Sequence, residues 1–266
     1  MKFTKLIVKL LITCLILSGC SSPKQVEEIW TIVKEKVVIF GDGVYVDLCR
    51  NDFSIRDIYI LSDGETLLTV QEPIGPDNVL NDLNETAQEA IKAYYEKQGL
   101  LYDVNIELEE AYSQYLRCKT NNEQFYDFSI NQDVVPASSN DKIICFLTTA
   151  IVPNGDLGMR IGQEIRLGAV FNKETGELYN MWDLFYSPKE EAIAQLLQAS
   201  QITDKQLILE MSSAIKPECI ILLPDHLEIN FPPGSLPSQE HSYLLSINYE
   251  VLEGVIHSWA IPDTNF

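Results

Sequence analysis

Residues 142–151 read Lys142-Ile143-Ile144-Cys145-Phe146-Leu147-Thr148-Thr149-Ala150-Ile151. The run is apolar almost without interruption and too short for a core helix. A half-buried strand would alternate apolar and polar residues, so a continuous run predicts a central strand covered on both faces. Working outward, Ser129 lies in a stretch (Gln124 to Asn131) that sets Tyr126, Phe128 and Ile130 at alternate positions. On the other side Pro153-Asn154-Gly155-Asp156 is a turn, and Glu164 to Phe171 is the next strand. Asn172-Lys173-Glu174-Thr175-Gly176 then closes a tight turn into Glu177 to Asn180.

The flanking segments extend the pattern. Lys36 to Phe40 and Val44 to Cys49 flank Gly41-Asp42-Gly43, and Arg56 to Leu61 and Thr66 to Val70 flank Ser62-Asp63-Gly64-Glu65. Both are hairpin signals. Apolar residues from Val79 to Tyr95 recur at three- and four-residue steps, which predicts a helix from about Asp77, as N-cap, to Gln98, closed by Gly99. Val104, Ile106 and Leu108 alternate with polar residues and read as a strand. A second helix is expected at Ser187-Pro188-Lys189-Glu190, with Ser187 and Glu190 at capping-box spacing. A short third helix is expected from about Asp204 to Ser213. Strands return at Cys219 to Leu223, Leu227 to Phe231 and Tyr243 to Val251, the last two separated by a proline loop at 231–237. Strand runs interrupted by separate helices predict an α+β fold of mostly antiparallel sheet, with two main helices and a third short one.

The N-terminus reads as an address. Lys2, Lys5 and Lys9 precede the apolar residues Leu10 to Leu17, and Leu17-Ser18-Gly19-Cys20 follows. About eight apolar residues suit a signal peptide, whereas a spanning helix needs roughly 20. Small residues before a cysteine resemble the bacterial lipobox, in which the cysteine takes a diacylglycerol thioether and becomes the new N-terminus. The organisation expected is a signal peptide at 1–19, a tether at 20–29 with lipid on Cys20, a β-rich region at 30–76 and an α+β domain at 77–266. Two or three acyl chains hold a protein stably on a membrane, so the expected location is the extracytoplasmic face of a cell membrane.

The chain has 19 basic and 39 acidic residues, a net charge of −20, and loss of the three signal lysines would take it to −23. Such a field repels nucleic acid and favours cationic partners. Beyond Cys14 and Cys20, the chain has Cys49, Cys118, Cys145 and Cys219. Four cysteines allow three pairings, and export permits disulfides, but Cys145 and Cys219 sit in apolar strands where free thiols are also common. No CxxC, GxSxG, P-loop or dinucleotide fingerprint occurs, so no cofactor or metal is implied. His226, His241 and His257 lack the i, i+4 spacing of a helical zinc site. Glu109 and Glu110 form one of many chance carboxylate pairs, and Trp30, Trp182 and Trp259 read as packing residues.

Three places resemble a known family. They are Gly168-Ala169-Val170-Phe171-Asn172-Lys173-Glu174-Thr175-Gly176-Glu177-Leu178 with Trp182-Asp183-Leu184-Phe185, the helix that follows, and Leu222-Leu223-Pro224-Asp225-His226-Leu227-Glu228-Ile229-Asn230-Phe231 with its proline loop. The segment from about Ser129 to Leu252 is similar to the bacterial extracytoplasmic domain of unknown function 3298, which often follows a companion numbered 4163. It also forms the outer part of RsiV-type anti-sigma factors. The sequence departs from the family in carrying Asn172 where an aspartate opens the turn, and in having no histidine in 154–162. The resemblance implies an α+β envelope module that binds something; in the anti-sigma members that ligand is lysozyme, a cationic wall-cutting enzyme. No anti-sigma segment or spanning helix is read here, so that signalling route is not expected. The reading is a sensing or binding module for a basic protein, such as a wall hydrolase, or a wall-derived ligand. The alternatives are a cell-wall hydrolase and a purely structural envelope lipoprotein.

Overall fold

A computed structural model describes residues 33–39, 43–51, 54–153 and 163–263. The signal and lipobox readings, Cys20, Trp30 and the turn at 154–156 lie outside the described residues. Ten strands are seen: β1 (Val33–Ile39), β2 (Val44–Asn51), β3 (Ser54–Leu61), β4 (Thr66–Gln71), β5 (Phe128–Ser139), β6 (Ile143–Val152), β7 (Gln163–Asn172), β8 (Ile220–Leu222), β9 (His226–Phe231) and β10 (Tyr243–Asn248). Four α-helices accompany them: α1 (Glu85–Gln98), α2 (Val104–Asn121), α3 (Lys189–Ala199) and α4 (Lys205–Ala214). The fold is α+β, as the pattern of the sequence implies.

Strands β1 to β7 form one sheet in sequence order, and β10-β9-β8 form a second. Every pairing is antiparallel except β4 with β5, where Leu68, Thr69 and Val70 lie beside Phe128, Ser129 and Ile130. That parallel step follows from the connection: α1 and α2 lie between β4 and β5, and parallel neighbours need such a crossover.

The apolar run at 142–151 becomes β6, which is buried on both faces. Ile144 and Phe146 pack with Ala87, Ile91 and Tyr95 of α1, together with Val134 and Phe171. Ile143 and Cys145 point the other way, into the largest core, with α3, α4 and the second sheet. The β5–β7 part of the main sheet is therefore the middle of three layers. Full burial of side chains such as Phe146 and Phe171 contributes roughly 1.5–3 kcal/mol each. Gly168 lets the second sheet close on β7, because a Cβ there would come within 2.2 Å of the Ile220 carbonyl oxygen. A third cluster seats α2 on β2–β4 through Leu108, Ala111 and Tyr115 against Val46, Tyr59 and Leu68.

Several boundaries depart from expectation. Val104, Ile106 and Leu108 belong to a helix, not a strand. Their alternation spans too few residues to separate a period of 2 from one of 3.6, and the stripe Leu108, Ala111, Tyr115, Cys118 carries the true repeat. Strand β5 starts at Phe128 and leaves Tyr126 exposed. The helix expected from Asp77 divides into a 3-10 turn at Pro76–Val79 and α1, whose N-cap is Asn84, accepting from Ala87 N–H at 3.0 Å. The Ser187 capping box does not form: Pro188 stays extended at ψ 160 and α3 begins at Lys189 without a side-chain cap. Asp204 does cap α4, accepting from Gln206 and Leu207 N–H at 2.9 and 3.1 Å. The last strand stops at Asn248 and turns into a 3-10 helix, Tyr249–Leu252.

Candidate functional site

The start of α2 gathers carboxylates. Asp103 caps the helix by accepting from Asn105 N–H at 2.8 Å. Asp103, Glu107 and Glu110 follow at four- and three-residue steps, which places them on one side of the helix. The positive end of the helix dipole favours acids there. Even so, burial holds the Glu107 carboxyl above its ordinary range, and the charges of Glu110 and Asp103 push it further up. Among the described residues, Asp103, Glu107, Glu109 and Glu110 join no ion pair. A cation brought to this side would lower the energy of all three clustered acids. Glu109 and Glu110 occupy successive helix positions, which do not face each other, so they do not make a hydrolytic pair.

A second charged group joins the sheets. Arg166 on β7 donates to Glu228 on β9 at 2.7 Å and approaches Glu164 at 3.3 Å. His226 lies between two carboxylates, its Nδ1 2.6 Å from Asp225 and its Nε2 3.4 Å from Glu228. The hydrogen bond from His226 holds the Asp225 carboxyl below its usual range. Asn230 donates to the Arg166 carbonyl oxygen, which adds a neutral bond beside the ionic one. Arg166 and Glu228 are 62 residues apart, so no local motif marks the pairing. His241 is in an exposed loop, and His257 lies against Tyr186 at 3.9 Å and beside Trp259 at 5.9 Å. The three histidines are not gathered at one site, and no cluster of metal-binding side chains occurs among the described residues.

The four cysteines are unpaired in the structure, with Cys118, Cys145 and Cys219 buried. Burial pushes the Cys145 thiol up to about 12 and raises that of Cys219 as well. Trp182 and Trp259 pack at the edge of the largest core. Asn172 opens its turn by accepting from Glu174 and Thr175 N–H at 2.9 and 3.0 Å, so an amide oxygen serves where the family's aspartate would.

Among the described residues, two clefts lie near the crossover helices. One, of about 420 Å³, lies between the end of α2 and the β3–β4 turn and includes Glu65, Tyr115, Lys119 and Phe125. At its edge Tyr115 donates to Asp63 at 2.6 Å and accepts from Lys119 at 2.7 Å. These bonds pull the Asp63 carboxyl down and the Lys119 ammonium up. The other, of about 290 Å³, lies beside the end of α1 and includes Ile74, Tyr95, Gln98, Leu100 and Val134. Tyr95 ends the apolar stripe that the sequence predicts for this helix, and its ring packs on Phe146 and Phe171. Its hydroxyl oxygen, however, is buried without a hydrogen-bond partner, which periodicity cannot reveal.

No helix among the described residues is long and apolar enough to cross a membrane. No family model matches the chain, and no curated protein matches it. Among solved structures, the chain is similar to a DUF3298 family protein from Pseudomonas aeruginosa PAO1, at 12% identity and a TM-score of 0.40, over 87% of this chain and 95% of that one. It is also similar to a member of the same family from Bacteroides fragilis NCTC 9343, at 14% identity and a TM-score of 0.42, over 86% and 96% respectively. These structural neighbours are DUF3298 family proteins, the family whose motifs the sequence resembles.

Proposed function

We propose that this chain is a lipid-anchored, extracytoplasmic binding module whose acidic body captures a cationic protein, such as a basic wall hydrolase, close to the membrane. The observation that carries the reading is a net charge of −20 with a row of carboxylates on α2, Asp103, Glu107 and Glu110, that join no ion pair among the described residues. Opposite charge raises the rate of encounter, and a cation at Asp103, Glu107 and Glu110 offsets their mutual repulsion. The lipobox-like Leu17-Ser18-Gly19-Cys20 supports the anchor.

The test is capture of lysozyme and other basic wall hydrolases by the full-length, membrane-inserted protein at low salt and at ~0.5 M salt, where the Debye length shrinks to about 4 Å. Capture is expected at low salt, with loss at high salt and weakening in a variant carrying Asp103→Asn, Glu107→Gln and Glu110→Gln. Absence of any salt-sensitive cationic partner overturns the binding reading. Mass spectrometry of the mature N-terminus checks the anchor separately; an unmodified Cys20, or residues 1–19 still attached, overturns that part.

A further inference from the structure

The cleft at the end of α1 has two fixed walls. Ile74 is laced to β5: its N–H donates to the Gln132 carbonyl oxygen at 2.9 Å, and its own carbonyl oxygen accepts from Val134 N–H at 2.8 Å. The opposite wall is held by the Gln132 side chain, which accepts from Leu101 N–H at 2.8 Å and donates to the Gly99 carbonyl oxygen at 3.0 Å. Ile74 and Leu100 line the cleft and are each 49% exposed, while Val134, also in the lining, is buried. Half-exposed apolar walls still hold water that an apolar body would displace, so covering them is favourable.

Charge on these walls is uneven. Asp77, Lys92 and Glu96 all line the cleft. Lys92 and Glu96 stand four residues apart on α1, a spacing at which a lysine can neutralise a glutamate. Lys92 is drawn instead to Asp77, 2.7 Å away. Glu96 is exposed and joins no ion pair among the described residues. The mainly apolar cleft therefore carries one carboxylate without a counter-charge, and the ammonium on its wall is already engaged.

We infer that this cleft is a binding site for a small organic monocation, an apolar ring or chain carrying one ammonium, with its body against Ile74, Leu100 and Val134 and its charge at Glu96. The cation replaces the neutralising partner that Asp77 takes from Glu96. An anion of the same shape meets Glu96 with no free positive charge to offset it, and a neutral analogue keeps only the apolar contacts. The volume of about 290 Å³ sits at the lower edge of the roughly 300–1,000 Å³ of small-molecule sites, which suits a single ring with one short arm. The inference does not depend on capture of a cationic protein, whose proposed acids lie on α2.

Phenethylammonium, ethylbenzene and phenylacetate test it, because they share a ring with a short arm and differ in charge. Binding to the full-length chain at low salt is followed by NMR shift changes at the amides of Ile74, Gly99 and Leu100. Phenethylammonium is expected to bind in the ~mM range, ethylbenzene more weakly, and phenylacetate not at all at ~10 mM. Glu96→Gln is expected to weaken phenethylammonium about two- to fivefold, the range of one solvent-exposed ion pair, and to leave ethylbenzene unchanged. Leu100→Ser, at a half-exposed position, is expected to weaken both. Glu250→Gln removes an equal charge from an exposed position outside the cleft and is expected to change neither, which separates a local site from the field of the whole acidic body. The site is overturned by no phenethylammonium binding at ~10 mM, by phenylacetate binding as tightly, by shift changes that miss the three amides, or by Glu96→Gln acting no more strongly than Glu250→Gln.

Discussion

At Glu107 the chain holds a carboxyl group where burial and two neighbouring acids all oppose ionisation. Its folded-state pKa is raised above the ordinary 4.5, so the charged form is penalised in the folded protein relative to the unfolded one. That penalty is complete above the raised pKa, shrinks as pH falls through it, and vanishes below the unfolded value. Glu107→Gln is therefore expected to stabilise the protein at ~pH 7, with the gain fading to nothing by ~pH 4. Urea unfolding at the two pH values checks this, and a variant no more stable at neutral pH refutes it. Residues differ in how far they declare such roles. Asn172 was legible, because an Asn-x-x-Thr-Gly turn needs a side-chain acceptor at its first position. Arg166 and Glu228 were not, since their meeting depends on two sheets packing, and nothing local encodes that.

Among elements, caps separate what sequence spacing suggests from what the fold uses. Asn84→Ala is expected to cost about 1–2 kcal/mol, since it removes a cap and also the 2.7 Å bond from Asn84 Nδ2 to the Glu174 carbonyl oxygen, which ties α1 to the β7 turn. Asp204→Ala, losing bonds to two helix N–H groups, is expected to cost a similar ~1–2 kcal/mol. Ser187→Ala should change stability by less than ~0.5 kcal/mol, because α3 has no side-chain cap. Chemical denaturation of the three variants gives the ranking, and a Ser187→Ala loss equal to the other two contradicts the observed start of α3. Long patterns were the readable ones. The β6 run, the α1 stripe with Gly99 at its end, and the hairpins around Gly43 and Gly64, both at positive φ, appear where the sequence puts them. Five residues of alternation at 104–108 misled because the rest of the α2 stripe decides its period.

Over the whole molecule, the three layers around β5–β7 supply the apolar stabilisation, while the charge opposes it. A net charge of −20 on one body repels itself, and the described ion pairs are few and mostly solvent-exposed. Exposed pairs contribute about 0–1 kcal/mol each, too little to offset that repulsion. Salt should then stabilise the fold. Raising NaCl from ~10 mM to ~0.5 M shortens the Debye length from about 30 Å to about 4 Å. A gain of about 1–2 kcal/mol would raise Tm by roughly 2–8 °C for a chain of this size. Thermal unfolding across a salt series checks the sign, and a Tm that falls with salt means that attractive pairs dominate instead. The sign also controls the capture experiment. If capture of a cationic protein is lost over the same range in which Tm rises, unfolding cannot be the cause, and the loss belongs to screening of the acidic surface itself.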